Sequence, residues 1–210
     1  FLGDHGAPFH RGKLTNYESG LKVPFILKFP HQQKSSVKTE FVSTIDIFPT
    51  ILDALNSPQE LDLPGKSIKK KINANLLSNE IVFAEYNYHV GNTPEPRRSV
   101  STPKYKLIQH IFADYYNQKL KDLIINDFKP ERKRIYRHHD LVEYELYNLK
   151  NDPLERNNLA YKSVYKEDLD SMVNILEEWQ RKTGDSLINQ LARERFKRKL
   201  DSLINESKKK

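Results

Sequence analysis

An acidic and a basic side chain stand next to each other near the start of the sequence, where Asp4 and His5 lie between Gly3 and Gly6. Neighbouring side chains of an extended segment point in opposite directions, but a glycine-rich turn allows both to face one site. Such a pair at the end of a strand suits a metal ion or a bound anion, which α/β sheets hold at this edge. The pair also fits an Asx turn beside an exposed histidine, so both interpretations stay open.

Three cationic or potentially cationic residues follow within nine positions of Asp4, namely His10, Arg11 and Lys13. An ammonium ion beside a metal neutralises a tetrahedral oxyanion in a site that holds little water. Ordinary surface charge is the alternative interpretation. Residues 4–13 are therefore the first candidate site in the sequence.

Five strands are predicted along the chain. The apolar run 23–29 predicts a buried strand that ends at Pro30, and we expect a further strand to precede the turn at Asp4. Three more runs with strand character occupy residues 81–85, 105–111 and 143–149. We expect these strands to form the edge of one sheet and a separate small antiparallel unit.

Two helices are predicted from apolar residues at helical spacing. The first covers 44–55, with Asp46 as its N-cap, and the second covers about 165–182 and stops at Gly184. Trp179 falls in the apolar stripe of the second helix, so we expect it to be a packing residue. The apolar face of the first helix comprises Ile45, Phe48, Leu52 and Leu55.

Composition narrows the possible functions. The 210 residues contain no cysteine, which excludes disulfides and thiolate metal sites. The net charge of +7 is concentrated in 69–71, 132–137 and 193–210, which we interpret as solvated surface. No nucleic-acid-binding motif accompanies these runs, so no nucleic acid partner is expected. No apolar run approaches the roughly 20 residues that a membrane span needs.

Longer motifs surround the candidate site and together resemble those of the sulfatase family. In that family an Asp-Asn/His-Gly metal loop precedes a Gly-Lys pair, a Tyr-Glu-x-Gly turn and a strand led by Val-Pro. A helix with an Asp-(apolar)2-Pro-Thr pattern and a closing strand and turn come later. The corresponding residues here, in the same order, are 3–6, 12–13, 16–20, 23–27, 43–53 and 145–160. The closest likeness is to the heparan N-sulfatase (N-sulfoglucosamine sulfohydrolase-like) branch, through residues 7–9, 98–100 and 179–185.

The resemblance implies an α/β fold, in which the C-terminal part of an alkaline phosphatase-like α/β sandwich is joined to a small antiparallel-sheet subdomain with a packed C-terminal helix. The implied domains are 1–80 for the catalytic part, 81–190 for the subdomain and 191–210 for a charged tail. By the same analogy the protein is periplasmic, secreted or lysosomal.

The resemblance also implies hydrolysis of sulfate esters or sulfamates on a sulfated carbohydrate such as a glycosaminoglycan, by a formylglycine and a calcium ion (Ca2+). The Cys/Ser-x-Pro-x-Arg motif that yields formylglycine is absent from this sequence. We therefore expect it in a missing N-terminal half of the same protein, and expect this chain alone to be inactive. The alternatives are a phosphonate or phosphodiester hydrolase of the same superfamily and a non-catalytic polyanion-binding remnant.

Residue by residue, the resemblance makes Asp4 a calcium ligand and places His5 at the second ligand position, where many relatives have asparagine. Imidazole suits a hard cation poorly, so His5 could instead hydrogen-bond the sulfate, or another metal could be used. Lys13 corresponds to the catalytic lysine that contacts the sulfate, where the N-sulfatase branch often has arginine. As a point charge, lysine neutralises without the bidentate geometry of arginine.

Two more residues are candidates for substrate binding. His89 lies in a loop after a predicted strand, where substrate contacts are common, although an ordinary loop histidine explains it as well. Arg98 can meet an acidic sugar or form a pair on the surface.

Overall fold

The computed structural model describes residues 1–30, 32, 34–57, 62–73, 81–87, 95–120 and 141–207. The chain forms two compact units. The first contains Phe1–Ala84, Val100–Lys106 and Tyr147–Asn157, and the second contains Glu85–Ser99, Leu107–Leu146 and Asn158–Lys210. Three segments of the predicted subdomain, 81–84, 100–106 and 147–157, thus belong to the first unit.

A four-stranded sheet contributes residues to both units. Its strands are β1 (Val82–Tyr86), β2 (Arg97–Ser101), β3 (Tyr105–His110) and β4 (Tyr144–Asn148), in the order β1-β2-β3-β4. A tight turn joins β2 to β3, closed by a 2.8 Å hydrogen bond from the Thr102 N–H to the Tyr105 carbonyl. Three of these strands were predicted and are confirmed. Strand β2 was not predicted, because its arginines and serines give no alternation of apolar and polar residues.

The stretch 23–29 is not the buried strand that its apolar residues predict. It makes a single antiparallel bridge, between Phe25 and Leu2, supported by backbone hydrogen bonds of Pro24 and Ile26 to residues 1–3. Along the stretch the residues alternate between half-buried and exposed, and Ile26 is 65% exposed. No further strand of the described residues flanks this stretch, so one of its two faces stays open to solvent.

The predicted helix at 44–55 is confirmed as a 3-10 turn, Thr44–Asp46, followed by helix α2, Ile47–Ala54 (the short helix α1 is Glu18–Leu21). Its orientation differs from the amphipathic expectation. The apolar residues Ile45, Phe48 and Leu55 are 54%, 52% and 71% exposed, whereas Asp46 and Thr50 are buried.

Hydrogen bonds to helix α3 (Ile68–Asn73) explain this orientation of α2. The Thr50 hydroxyl accepts a hydrogen bond from the Ile68 N–H at 2.8 Å, and the Lys71 ammonium pairs with the Asp46 carboxylate at 2.8 Å. Asp46 also accepts a hydrogen bond from the Ser43 N–H, so its carboxylate closes the start of the 3-10 turn. The polar side of α2 therefore packs inward within this unit.

The second unit is built around two long helices. After the three-residue helix α4 (Ala113–Tyr115), helix α5 covers Lys166–Thr183 and α6 covers Gln190–Ser207. Helix α5 ends as predicted at Gly184, which has the left-handed φ of 70° that glycine adopts without strain. In the described residues, no helix is both long and apolar enough to cross a membrane.

Helix α6 falls within the segment 191–210 that was expected to be a charged tail. It packs against an aromatic cluster, in which the rings of Phe112 and Phe196 are stacked with centroids 5.0 Å apart. The described part of the segment is thus a helix that completes a core. The buried members of this cluster are Ile111, Phe112, Tyr115, Tyr116, Leu187 and Leu200.

Candidate functional site

The first twenty residues form a compact double loop closed by backbone hydrogen bonds. The Gly6 N–H donates to the Gly20 carbonyl and the Lys13 N–H donates to the Ala7 carbonyl, both at 2.9 Å. A Cβ atom on Gly6 would lie 1.8 Å from the Ser19 carbonyl oxygen. Glycine is therefore required there because two backbone segments touch.

Asp4 and His5 are brought together at the start of this loop. The His5 Nε2 atom lies 3.3 Å from the Asp4 carboxylate, and the His5 Nδ1 atom lies 2.9 Å from the Gly6 carbonyl oxygen. The Asp4 side chain is 86% exposed and His5 is about four-tenths exposed. Both side chains can thus reach a ligand that approaches from outside this unit.

The pair would supply only part of a calcium site. Calcium takes about six to eight oxygen ligands, and this turn provides one carboxylate and one imidazole. Among the residues that the structure describes, no three His, Asp or Glu side chains come together as a set that could hold a metal. The donors fit one side of a metal site, whose remaining ligands would have to come from elsewhere.

Lys13 and Arg11 carry the same charge but point to different surroundings. Lys13 is half-buried, and its ammonium group makes no ion pair with a described residue. The Arg11 guanidinium lies 3.7 Å from the centroid of the Tyr17 ring and donates to the Tyr147 hydroxyl at 3.2 Å and to the Glu155 carbonyl. The Arg11 guanidinium is therefore held by protein partners, whereas the Lys13 ammonium has no ion-pair partner among the described residues.

A buried ion cluster that was not predicted from the sequence joins Glu18 of the loop to Lys106 and Glu155. The Lys106 ammonium is 2.8 Å from the Glu18 carboxylate and 3.3 Å from that of Glu155. The Glu155 carboxylate also accepts a 2.7 Å hydrogen bond from the Glu18 N–H. Burial raises the pKa of Glu155, and the charge of Lys106 offsets only part of that effect.

One feature of the sequence could have revealed this cluster. Lys106 is the second residue of the predicted strand 105–111, and a charged side chain that faces inward from a buried strand requires a partner. The partners, Glu18 and Glu155, are 88 and 49 residues away, and their identities do not follow from local pattern.

Arg98, a predicted substrate-binding residue, is buried in the second unit. Its guanidinium donates twice to the Asp185 carboxylate, at 2.7 and 3.1 Å, and once to the Asn87 side chain at 2.8 Å. Burial by itself would raise the pKa of Asp185, but hydrogen bonds from Arg98 and Gln180 lower it below the usual value. These donors of Arg98 are committed to protein partners, and its role towards substrate stays a prediction. His89 lies outside the described residues.

A second buried titratable group lies further along β3. His110 has its Nε2 atom 3.0 Å from the Glu145 carboxylate and its Nδ1 atom 3.4 Å from that of Glu95. His110 thus lies between the carboxylates of Glu95 and Glu145, and all three residues belong to the second unit.

Residues 3–139 match the family model described as N-sulphoglucosamine sulphohydrolase, C-terminal. The match covers more than half of the chain. This chain belongs to that sulfatase family. The predicted resemblance to sulfatases of the N-sulfoglucosamine sulfohydrolase type is thereby confirmed.

Curated relatives of this sulfatase-family chain are enzymes acting on sulfated compounds. Human N-sulphoglucosamine sulphohydrolase is 26% identical over 213 residues, which cover 88% of this chain and 41% of the relative. The N-acetylglucosamine-6-O-sulfatase of Bacteroides thetaiotaomicron is 28% identical over 189 residues, covering 89% of this chain and 29% of the relative. The chain thus spans less than half the length of these two relatives.

Solved structures confirm the fold of this family member. The structure of a 2-O GAG sulfatase superposes with a TM-score of 0.61 at 21% identity, covering 82% of this chain and 32% of the sulfatase. The chain therefore has the mixed α/β fold of the C-terminal part of an alkaline phosphatase-like sulfatase, as its motifs predicted.

Proposed function

We propose that this chain is the C-terminal part of a sulfatase that hydrolyses sulfate esters or sulfamates on a sulfated glycan. The observation that carries the proposal is the arrangement of loop 3–20. The loop carries the exposed carboxylate of Asp4, the partly exposed imidazole of His5 and the half-buried Lys13, whose ammonium forms no ion pair with a described residue, while Arg11 and Glu18 pair with other residues of the unit. The names of the relatives, which specify sulfated amino sugars, support a glycan as substrate.

In this proposal Asp4 and His5 hold one side of a calcium ion. The carboxylate is the stronger candidate, because calcium prefers oxygen ligands, and His5 can instead donate a hydrogen bond to a sulfate oxygen. The chemistry that calcium supplies when bound is polarisation of the sulfate oxygens. The other metal ligands and the formylglycine would belong to residues beyond these 210, so the chain alone is expected to be inactive.

Lys13 has the electrostatic role. The sulfate oxygens carry negative charge, and further charge builds on the leaving oxygen or nitrogen of the sugar as its bond to sulfur breaks. A fixed ammonium group beside them stabilises this charge where little water is present. The Lys13 ammonium forms no ion pair with a described residue, so none of those residues has to be displaced before it meets the sulfate. The Asp4–His5 contact gives the imidazole a defined orientation on the same loop.

Activity of the full-length protein on paired aryl sulfate, aryl phosphate and N-sulfated disaccharide substrates tests this function. We expect Lys13→Ala and Asp4→Asn each to lower kcat/KM on sulfated substrates by roughly 10²- to 10³-fold. Lys22→Ala and Asp170→Asn are matched controls, because both residues are exposed and lie outside loop 3–20. Both variants should retain activity.

The metal assignment has its own measurement. Calcium titrated into metal-free protein should bind to the wild type, and Asp4→Asn should weaken that binding while leaving the fold intact by circular dichroism. Phosphate ester hydrolysis that exceeds sulfate ester hydrolysis would instead make the protein a phosphoryl hydrolase. Heparin binding without any hydrolysis would make it a polyanion-binding remnant.

A further inference from the structure

The two ends of one hydrogen bond in the first unit both have unusual backbone conformations. Arg11 has a φ of 61° and Glu155 has a φ of 53°, values that residues other than glycine rarely adopt. The guanidinium of Arg11 donates to the backbone carbonyl of Glu155. Strained backbone of this kind persists only where surrounding contacts hold it in place, and it is concentrated at functional sites.

The contacts of Arg11 hold both its side chain and its backbone. The guanidinium stacks on the ring of Tyr17 and donates to the hydroxyl of Tyr147. The Arg11 carbonyl accepts two hydrogen bonds of 2.6 Å, one from the Thr15 hydroxyl and one from the Ser19 hydroxyl. The backbone at Arg11 is therefore held by contacts on its side chain and on its carbonyl.

Glu155 fixes the second half of the loop from the same side. Its carboxylate accepts from the Glu18 N–H at 2.7 Å, and Lys106 lies between the two glutamate side chains. Glu155 thus accepts two hydrogen bonds from the loop, one at its backbone carbonyl from Arg11 and one at its carboxylate from the Glu18 N–H.

We propose that Arg11 is a positioning residue, which together with Glu155 clamps loop 3–20 so that Asp4, His5 and Lys13 are presented outward in one fixed arrangement. The inference rests on the proposed function, since it concerns the same candidate site. Arg11, two residues before Lys13, thereby influences the geometry of the site through its contacts within the unit. Arginine suits this role because its planar fork stacks and donates in several directions at once, whereas lysine presents a point charge.

Arg11→Lys and Arg11→Met in the full-length protein test the clamp. Both variants lose the stacked, branched contacts, so we expect both to lower kcat by roughly 10- to 100-fold, as a displaced catalytic group does, with KM within about twofold of the wild type. Amide hydrogen exchange of residues 3–20 should accelerate at least about tenfold in both, which corresponds to more frequent local opening of the loop.

The control is Lys71→Met, which breaks the buried 2.8 Å pair with Asp46, a pair in the same unit that contains no residue of the loop. It should reduce the stability of the protein while leaving kcat and the exchange of residues 3–20 unchanged. A comparable loss of kcat in this variant would show that general destabilisation explains the effect of Arg11.

Other results would overturn the clamp directly. Wild-type kcat in Arg11→Lys, or a rise in KM that depends on ionic strength, would mean that Arg11 acts as a charge towards substrate. Unchanged hydrogen exchange in both variants would show that the loop does not depend on Arg11. A wild type without sulfatase activity would refute the proposed function, while the exchange measurement would still decide whether the clamp exists.

Discussion

Arg98 and Asp185 are joined by two side-by-side hydrogen bonds, although 87 residues separate them in the sequence. The pair is almost completely buried, with side chains 3% and 7% exposed. Bidentate pairing of this kind is the strongest geometry for an arginine and a carboxylate. The pair connects Arg98 of strand β2 with Asp185 in the turn that follows helix α5, and both residues belong to the second unit.

Removing one partner of this pair should be strongly destabilising. Arg98→Met would leave the Asp185 carboxylate buried without its cation, and we expect a loss of about 3–5 kcal/mol in the free energy of unfolding. Urea unfolding followed by the fluorescence of Trp179 measures it. Arg181→Met is the control, because its pair with Glu177 is exposed and should contribute less than about 1 kcal/mol. Equal losses in the two variants would refute the structural role of Arg98.

Two carboxyl groups should make opposite contributions to the pH dependence of stability. The pKa of Asp185 is lowered below 3.8 in the folded chain, so its contribution is present above pH 3.8 and is lost as the pH falls through the folded-state pKa. The pKa of Glu155 is raised above 4.5, so its contribution is present below pH 4.5 and is lost as the pH rises through the folded-state pKa.

Unfolding free energies of Asp185→Asn and Glu155→Gln, measured from pH 3 to pH 7, separate these contributions. The deficit of Asp185→Asn relative to the wild type should shrink towards acid. The stability of Glu155→Gln relative to the wild type should improve as the pH rises above 4.5, because the variant cannot acquire the buried charge. Parallel pH profiles for the wild type and either variant would contradict the corresponding shift.

Two glycines should respond very differently to replacement by alanine. At Gly6 the new Cβ would lie 1.8 Å from the Ser19 carbonyl oxygen, whereas at Gly184, where φ is 70°, no atom lies within 4 Å. Gly184→Ala should therefore cost about 1 kcal/mol, from the left-handed backbone alone. Gly6→Ala should cost at least about 3 kcal/mol, because backbone must move. Chemical denaturation of both variants gives the comparison, and a similar loss in each would refute the close approach at Gly6.

Helix α6 should contribute to the core despite its charged sequence. Leu200→Ala and Phe196→Ala remove side chains that pack on the aromatic cluster, and each should cost about 2–5 kcal/mol. Leu191→Ala, in the same helix but 55% exposed, should stay within about 0.5 kcal/mol of the wild type. Thermal unfolding checks all three. Small effects for Leu200 and Phe196 would restore the view of this segment as a solvated tail.

Local pattern was sufficient wherever neighbouring residues decide the outcome. The strand-like composition of 105–111 predicted β3, helical spacing with a terminal glycine predicted α5, and the glycine-rich turn allowed Asp4 and His5 to face one site. Each of these follows from backbone geometry over a few residues. The order of the sulfatase motifs, which is also a property of the sequence, predicted the family and the fold.

Tertiary structure decided which side chains face inward. Arg11 and Lys13 are both cations of one short loop, but only Arg11 finds aromatic rings and a carbonyl, and its partner Tyr147 lies 136 residues away. The apolar stripe of α2 likewise predicted a helix but not its orientation, because Asp46 and Thr50 accept hydrogen bonds from residues of α3, which turns the polar side inward. Such pairings depend on which distant segments the fold brings together, and local periodicity contains no information about them.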